Sequence, residues 1–139
     1  MSIQFALAPL FFQVLLVFGL IIWMWRARQT ALSRGEVHHR DIALREPKWP
    51  TKATQVANCF SNQFEIPVLF YIVTILALIT RQADLLFVFL SWLFVILRYV
   101  HAFIHTTSNR VARRGLVYGL GVLMVLALWI ELALRLYLL

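Results

Sequence analysis

Apolar positions in this chain come in long unbroken blocks, not in the one-faced or alternating patterns of a soluble core. Residues 7–25, 66–80, 85–97 and 115–134 are almost free of charge. Two of these blocks are long enough alone, at about 20 residues, to cross roughly 30 Å of hydrocarbon. The other two reach that length when their polar flanks, residues 58–65 and 98–105, are counted into the helices. The pattern predicts an all-α integral membrane protein with one domain, a four-transmembrane-helix bundle. Its helices are expected at about 6–27, 54–80, 84–108 and 111–138, with one long connection at about 28–53.

Composition points the same way. The 139 residues are 62% hydrophobic and 14% charged, against nearer 45–50% and about 25% in soluble domains. The first ten residues hold no Lys or Arg and no small-x-small cleavage pattern follows, so the first block is expected to remain as a helix. Pro9 is tolerated near its start. The lone Cys59 excludes an internal disulfide.

The net charge of +7 invites a nucleic-acid reading, which its distribution argues against. Arg26, Arg28, Arg34, Arg40, Arg45, Lys48 and Lys52 fall between the first and second helices, and Arg110, Arg113 and Arg114 between the third and fourth. The remaining connection has only Arg81, offset by Asp84. Positive charge near span ends favours the cytoplasm, so both basic loops are expected there and both termini on the opposite side. With no organelle address visible, a bacterial inner membrane is the expected location. The partners implied are the lipid bilayer and its head groups, with no nucleic acid.

The long connection contains Arg45-Glu-Pro-Lys-Trp-Pro50, which cannot be regular helix because each proline restricts the residue before it. It is expected to lie against the helix ends with Trp49 as an interfacial anchor. Pro67 falls inside the second helix, where it frees the carbonyl of Gln63 and predicts a kink. Gly115, Gly119 and Gly121 suit close helix packing.

Two polar clusters interrupt the apolar pattern. Gln55, Asn58, Asn62 and Glu65 fall within roughly 80° of one another on a helix, and so do Arg98, His101, His105 and Asn109. Such stripes are costly in hydrocarbon and are expected to face a bundle interior or a polar cavity. The second helix leaves the basic side and the third returns to it, so the two stripes meet at one depth, with Glu65 and Arg98 as natural ion partners. A buried salt bridge fixing helix register would suffice for that pair. The surplus amides, imidazoles and arginines add the expectation of a bound polar ligand.

His101 and His105 are spaced as a metal pair, but zinc needs a third and fourth ligand. Glu65 is one candidate; no metal is expected. His38 and His39 are expected to be solvated, and Glu131 with Arg135 to satisfy each other one turn apart. Neither a nucleophile triad nor a phosphate-binding glycine loop is visible.

These clusters resemble those of the MAPEG family, the membrane-associated proteins in eicosanoid and glutathione metabolism. The family's second helix carries Asn-x-x-Glu followed by proline and an aromatic, matched here by Asn62-Gln-Phe-Glu65, Pro67 and Phe70. Arg98, His101 and His105 resemble the Arg-x-x-His-x-x-x-Tyr of the prostaglandin-E-synthase-like branch. Arg114 and Tyr118 resemble its thiolate-stabilising arginine and the tyrosine four residues on, and Arg26 and Arg28 a basic pair ending the first helix. The resemblance implies a four-helix homotrimer with glutathione as co-substrate between subunits. It further implies a transferase or peroxidase acting on a lipophilic small molecule.

In that reading Arg114 is the catalytic residue, with Arg110 and Arg113 as reserves. Arg26, Arg28, Asn58, Asn62, Glu65, Arg98, His101, His105 and Tyr118 line the ligand. Asn58 stands where those enzymes usually carry arginine, and His105 where they carry tyrosine. Both differences keep an alternative open: a non-catalytic membrane protein whose polar cluster binds a lipid head group or locks the oligomer.

Overall fold

The computed structural model describes residues 2–44 and 48–138. Arg45, Glu46 and Pro47, the first half of the proline-bearing run, lie outside the described residues. Four membrane-crossing segments follow one another. α1 (Ile3–Ser33) is the first and a 3-10 turn, His39–Ile42, follows it. α2 (Thr51–Ser61), a 3-10 turn at Asn62–Phe64 and α3 (Ile66–Ile79) together make the second crossing. α4 (Leu85–Thr106) and α5 (Val111–Tyr137) complete the bundle. No strand occurs among the described residues.

α1 runs beyond the expected 6–27 at both ends. Ser2 caps it, accepting from the Phe5 amide at 3.4 Å, and nothing after Arg28 stops it before Gly35. There Gly35 takes φ +69°, Glu36 N–H returns to the Ala31 carbonyl at 3.0 Å and Gly35 N–H to Leu32 at 3.1 Å. That left-handed stop satisfies carbonyls that the helix end would leave unpaired. At 31 residues α1 is roughly 46 Å long, more than a bilayer core needs, so its last turns stand clear of hydrocarbon. The long connection is correspondingly shorter, and Trp49 is held in it by the Arg28 guanidinium, 4.9 Å from the ring centroid.

The second crossing departs from the continuous, proline-kinked helix that its sequence predicts. The chain breaks at Glu65, and Pro67 falls in the first turn of α3, where a missing N–H costs nothing. The break, two residues before the proline, sets the aim of the Glu65 side chain.

Packing inverts the soluble pattern. Phe11, Leu15, Phe18 and Ile22 on α1 are exposed, whereas Gln13, Gln63, Arg98, His101 and His105 are buried. In lipid the outward face is apolar and polar groups turn inward to partners. A core of Phe70, Val73, Phe94 and Leu128 fills the half of the bundle near the α3–α4 turn, with Phe70 and Phe94 at 4.7 Å between centroids. Asp84 caps α4 through the Phe87 amide at 2.9 Å. Arg135 bridges Asp84 and Glu131, so the Glu131–Arg135 pair expected from sequence also pins α5 to the turn. Of the three glycines read as packing positions, only Gly121 faces a neighbour, Phe94; around Gly115 and Gly119 the chain itself leaves open space.

Candidate functional site

The last three turns of α4 place Arg98, His101 and His105 on one buried face, with exposures of 2%, 2% and 3%. The broken second crossing packs against that face. α2 ends at Ser61, which leaves the Asn62 carbonyl to the Arg98 guanidinium: Nη2 donates to it at 3.1 Å. The Asn62 amide lies 3.4 Å from His105 Nδ1. Two turns earlier, the Gln55 amide donates to the carbonyls of His105 at 2.6 Å and Thr107 at 3.2 Å, closing the end of α4. Lys52 donates to the Thr106 carbonyl.

α5 supplies the centre. The Tyr118 hydroxyl donates to Glu65 Oε2 at 3.0 Å. Its ring lies 5.6 Å from the Arg98 guanidinium carbon and 5.6 Å from the His101 ring. His101 and His105 meet edge to face at 5.5 Å. The predicted Glu65–Arg98 ion pair does not form. The break at Glu65 sends its carboxylate to α5, and Tyr118 stands between the two charges. Arg114, one turn before Tyr118, donates from Nη1 to Asn109 Oδ1 at 2.6 Å.

Seven of the twelve candidate residues therefore converge: Asn62, Glu65, Arg98, His101, His105, Arg114 and Tyr118. Two buried polar atoms inside the cluster, Arg98 Nε and His101 Nδ1, have no hydrogen-bond partner. The other five lie elsewhere on this chain. Asn58 and Arg28 line a separate groove of about 850 Å³ with Trp49, Arg26 lines another at the end of α1, and Arg110 and Arg113 are exposed at the start of α5. Among the described residues no third His, Cys, Asp or Glu joins the two histidines in a metal-like group. His38 and His39 are exposed, with the His38 amide bonded to Asp41 at 3.2 Å.

Sequence reasoning missed a buried amide pair. Gln13 Nε2 donates to Gln63 Oε1 at 3.0 Å, and Gln63 Nε2 to the Cys59 carbonyl at 3.0 Å. The signal was there: Gln13 is a lone amide in an apolar block, and that placement demands an interior partner.

A four-crossing membrane protein with a buried cationic, imidazole-bearing cluster at one end of the bundle is the class that fold and site define. Residues 6–134 match the MAPEG family, and the chain belongs to it. Among curated proteins and solved structures, none matches significantly.

Proposed function

We propose that the protein is a glutathione-dependent transferase or peroxidase acting on a lipophilic electrophile that arrives through the bilayer. The observation that carries this reading is the unmet hydrogen-bonding capacity of Arg98 Nε and His101 Nδ1, buried beside a carboxylate and a second arginine. Orphaned polar atoms also occur singly elsewhere, as at Gln13 Oε1 and Trp129 Nε1, but here two share one face with a carboxylate and a second arginine, and a peptide thiol offers carboxylates and amides to take them up.

Bound glutathione would supply the nucleophile as its thiolate, which a neighbouring cation favours over the thiol. Arg114 has that role. It is held by Asn109 near the mouth of the cluster, whereas Arg98 is fixed deeper by the Asn62 carbonyl and orients the ligand. Glu65, with Tyr118 as its hydrogen-bond donor, takes the ligand's amino group; Asn62, His101 and His105 bond its peptide. The assembly is a homotrimer. In support, Asn58, Ser61 and Glu65 are exposed on one chain, a poor surface for lipid that another copy would cover, and Arg28 and Asn58 would then join the ligand from a neighbour. The basic loops face the cytoplasm.

Arg114→Ala in purified protein tests the mechanism. Loss of thiol conjugation to a generic electrophile with the fold retained is expected, and undiminished turnover removes Arg114 from it. The second reading, a non-catalytic cluster that locks the bundle, is favoured by how much of the site satisfies itself: Tyr118 with Glu65, Arg98 with Asn62, Arg114 with Asn109.

A further inference from the structure

Three depressions lie along α1 and α4; two of them share Gly19 and Trp23 and form one trough, while Tyr99, whose hydroxyl donates across the groove to the Phe12 carbonyl at 2.8 Å, bars the other from them. Phe12 and Trp92, edge to face at 5.1 Å, wall the first, of about 340 Å³, with Tyr99 at its end. Tyr99 also lines the second, of about 510 Å³, beside Leu16, Leu20 and Phe103. Gly19 and Trp23 belong both to the second and to the third, also about 510 Å³, where Arg26, Arg34 and Lys52 replace the apolar walls. From Leu15, the first α1 residue of the trough, to Trp23 the helix rises roughly 12 Å, and one leaflet of a bilayer core is about 15 Å deep. The apolar part thus takes up most of one leaflet, and the cations sit where that leaflet meets water.

The mouth is electrically unbalanced. Among the described residues three cations face one carboxylate, Glu36, leaving a net charge of +2; its pair with Arg34 is long, at 4.0 Å, and exposed. Lys52 donates one of its three N–H groups to the Thr106 carbonyl and lies 5.1 Å from the Trp23 ring centroid. Arg26 has no hydrogen-bond or ion-pair partner among the described residues. A Cβ placed on Gly19 would meet nothing within 4 Å, so the floor of the trough is open where its apolar and basic parts join.

We propose that this trough is a binding site for one anionic phospholipid of the surrounding bilayer. An acyl chain lies along α1 and α4, and the phosphate sits between Arg26, Arg34 and Lys52. A free anion uses only the mouth and a zwitterionic lipid gains little from it; the joining of the two parts selects an anionic lipid. None of Glu65, Arg98, His101 and Tyr118 lines the trough; of the residues that the family resemblance offers to glutathione only Arg26 is shared, and on this chain it lies in the trough and outside the Arg98–Tyr118 cluster.

The test is thermal stability of the purified full chain in detergent, titrated with dioleoyl phosphatidylglycerol, dioleoyl phosphatidylcholine or inorganic phosphate. A ligand that binds only the folded state raises its stability saturably. The expected result is a rise with phosphatidylglycerol that the other two do not reproduce. Each cation near a membrane surface contributes about fivefold in affinity for anionic lipid, so the triple variant Arg26→Gln, Arg34→Gln, Lys52→Gln should bind on the order of a hundredfold more weakly. Gly19→Phe should block the trough and abolish the response while the protein without lipid stays folded; if it does not fold, Gly19→Leu serves instead.

Equal responses to the two lipids, an equal response to phosphate alone, or a phosphatidylglycerol response that survives the triple variant overturns the proposal. A parallel glutathione titration keeps the two sites distinguishable. Lipid response without glutathione response sinks only the proposed enzyme, and the reverse sinks only the lipid site.

Discussion

Replacing Tyr118 by Phe keeps the ring that Arg98 and His101 pack against and removes only the hydroxyl donated to Glu65. Hydrogen bonds to charged groups contribute about 1.5–3 kcal/mol. This one is 3.0 Å long, beyond the roughly 2.5–2.7 Å usual for O–H···O⁻, and Glu65 is exposed on the single chain. The expected contribution is therefore below that range, about 1 kcal/mol, or roughly a fivefold shift in the unfolding equilibrium. Reversible unfolding in mixed micelles, applied to Tyr118→Phe, Glu65→Gln and the double variant, isolates it. The double variant should be no less stable than either single one, with a coupling energy of about 1 kcal/mol. Additive losses, with a coupling energy under about 0.3 kcal/mol, would show that the bond does not hold α5 to the broken crossing.

Gln13→Leu leaves Gln63 Oε1 without its donor and should cost about 0.6 kcal/mol, the size typical of side-chain hydrogen bonds between membrane helices; adding Gln63→Leu should recover part of that in the same unfolding assay. Gly121→Ala places a methyl 3.8 Å from Phe94, an ordinary contact, so it should raise stability by about 0.5 kcal/mol through helix propensity, and a loss would mean the α4–α5 contact is tighter than described. Burial works to raise the Asp84 carboxyl, but the Phe87 amide, Glu131 and the Arg135 charge outweigh it and hold the group below its ordinary value. A lowered carboxylate stabilises above the ordinary range near pH 4 and loses that contribution as pH falls through its folded value. Asp84→Asn should therefore be less stable than wild type at pH 7 and converge with it in acid; a constant difference would assign the effect to something other than ionisation.

Much of the fold could be read in the chain because hydrocarbon imposes so few solutions. Four apolar blocks separated by basic or short connections leave little choice but four crossings, and the placement of Arg98, His101 and His105 at three- and four-residue spacing fixed their shared face. The break at Glu65 was not legible. Pro67 permits either a kinked helix or a fresh start, and the choice depends on Arg98 reaching back to the Asn62 carbonyl, 36 positions away in sequence. For the same reason the pairing of charges was misread. Glu65 and Arg98 look complementary along their own helices, yet the re-aimed carboxylate finds Tyr118, 53 positions on. The trough along α1 and α4 was hidden for a different reason: an open floor at Gly19 is a property of two helices together, and a single glycine in an apolar run carries no such sign.

The most direct measurement is thermal stability of the detergent-purified protein titrated with reduced glutathione, beside Glu65→Gln and Arg114→Ala. Binding to the folded state alone at a hundred times the dissociation constant stabilises by about 2.7 kcal/mol, a shift easily read in a melting curve. A saturable rise in the wild type that weakens in both variants is the predicted result. No rise at millimolar glutathione, or one that both variants retain in full, contradicts a glutathione site built on Glu65, Tyr118 and Arg114.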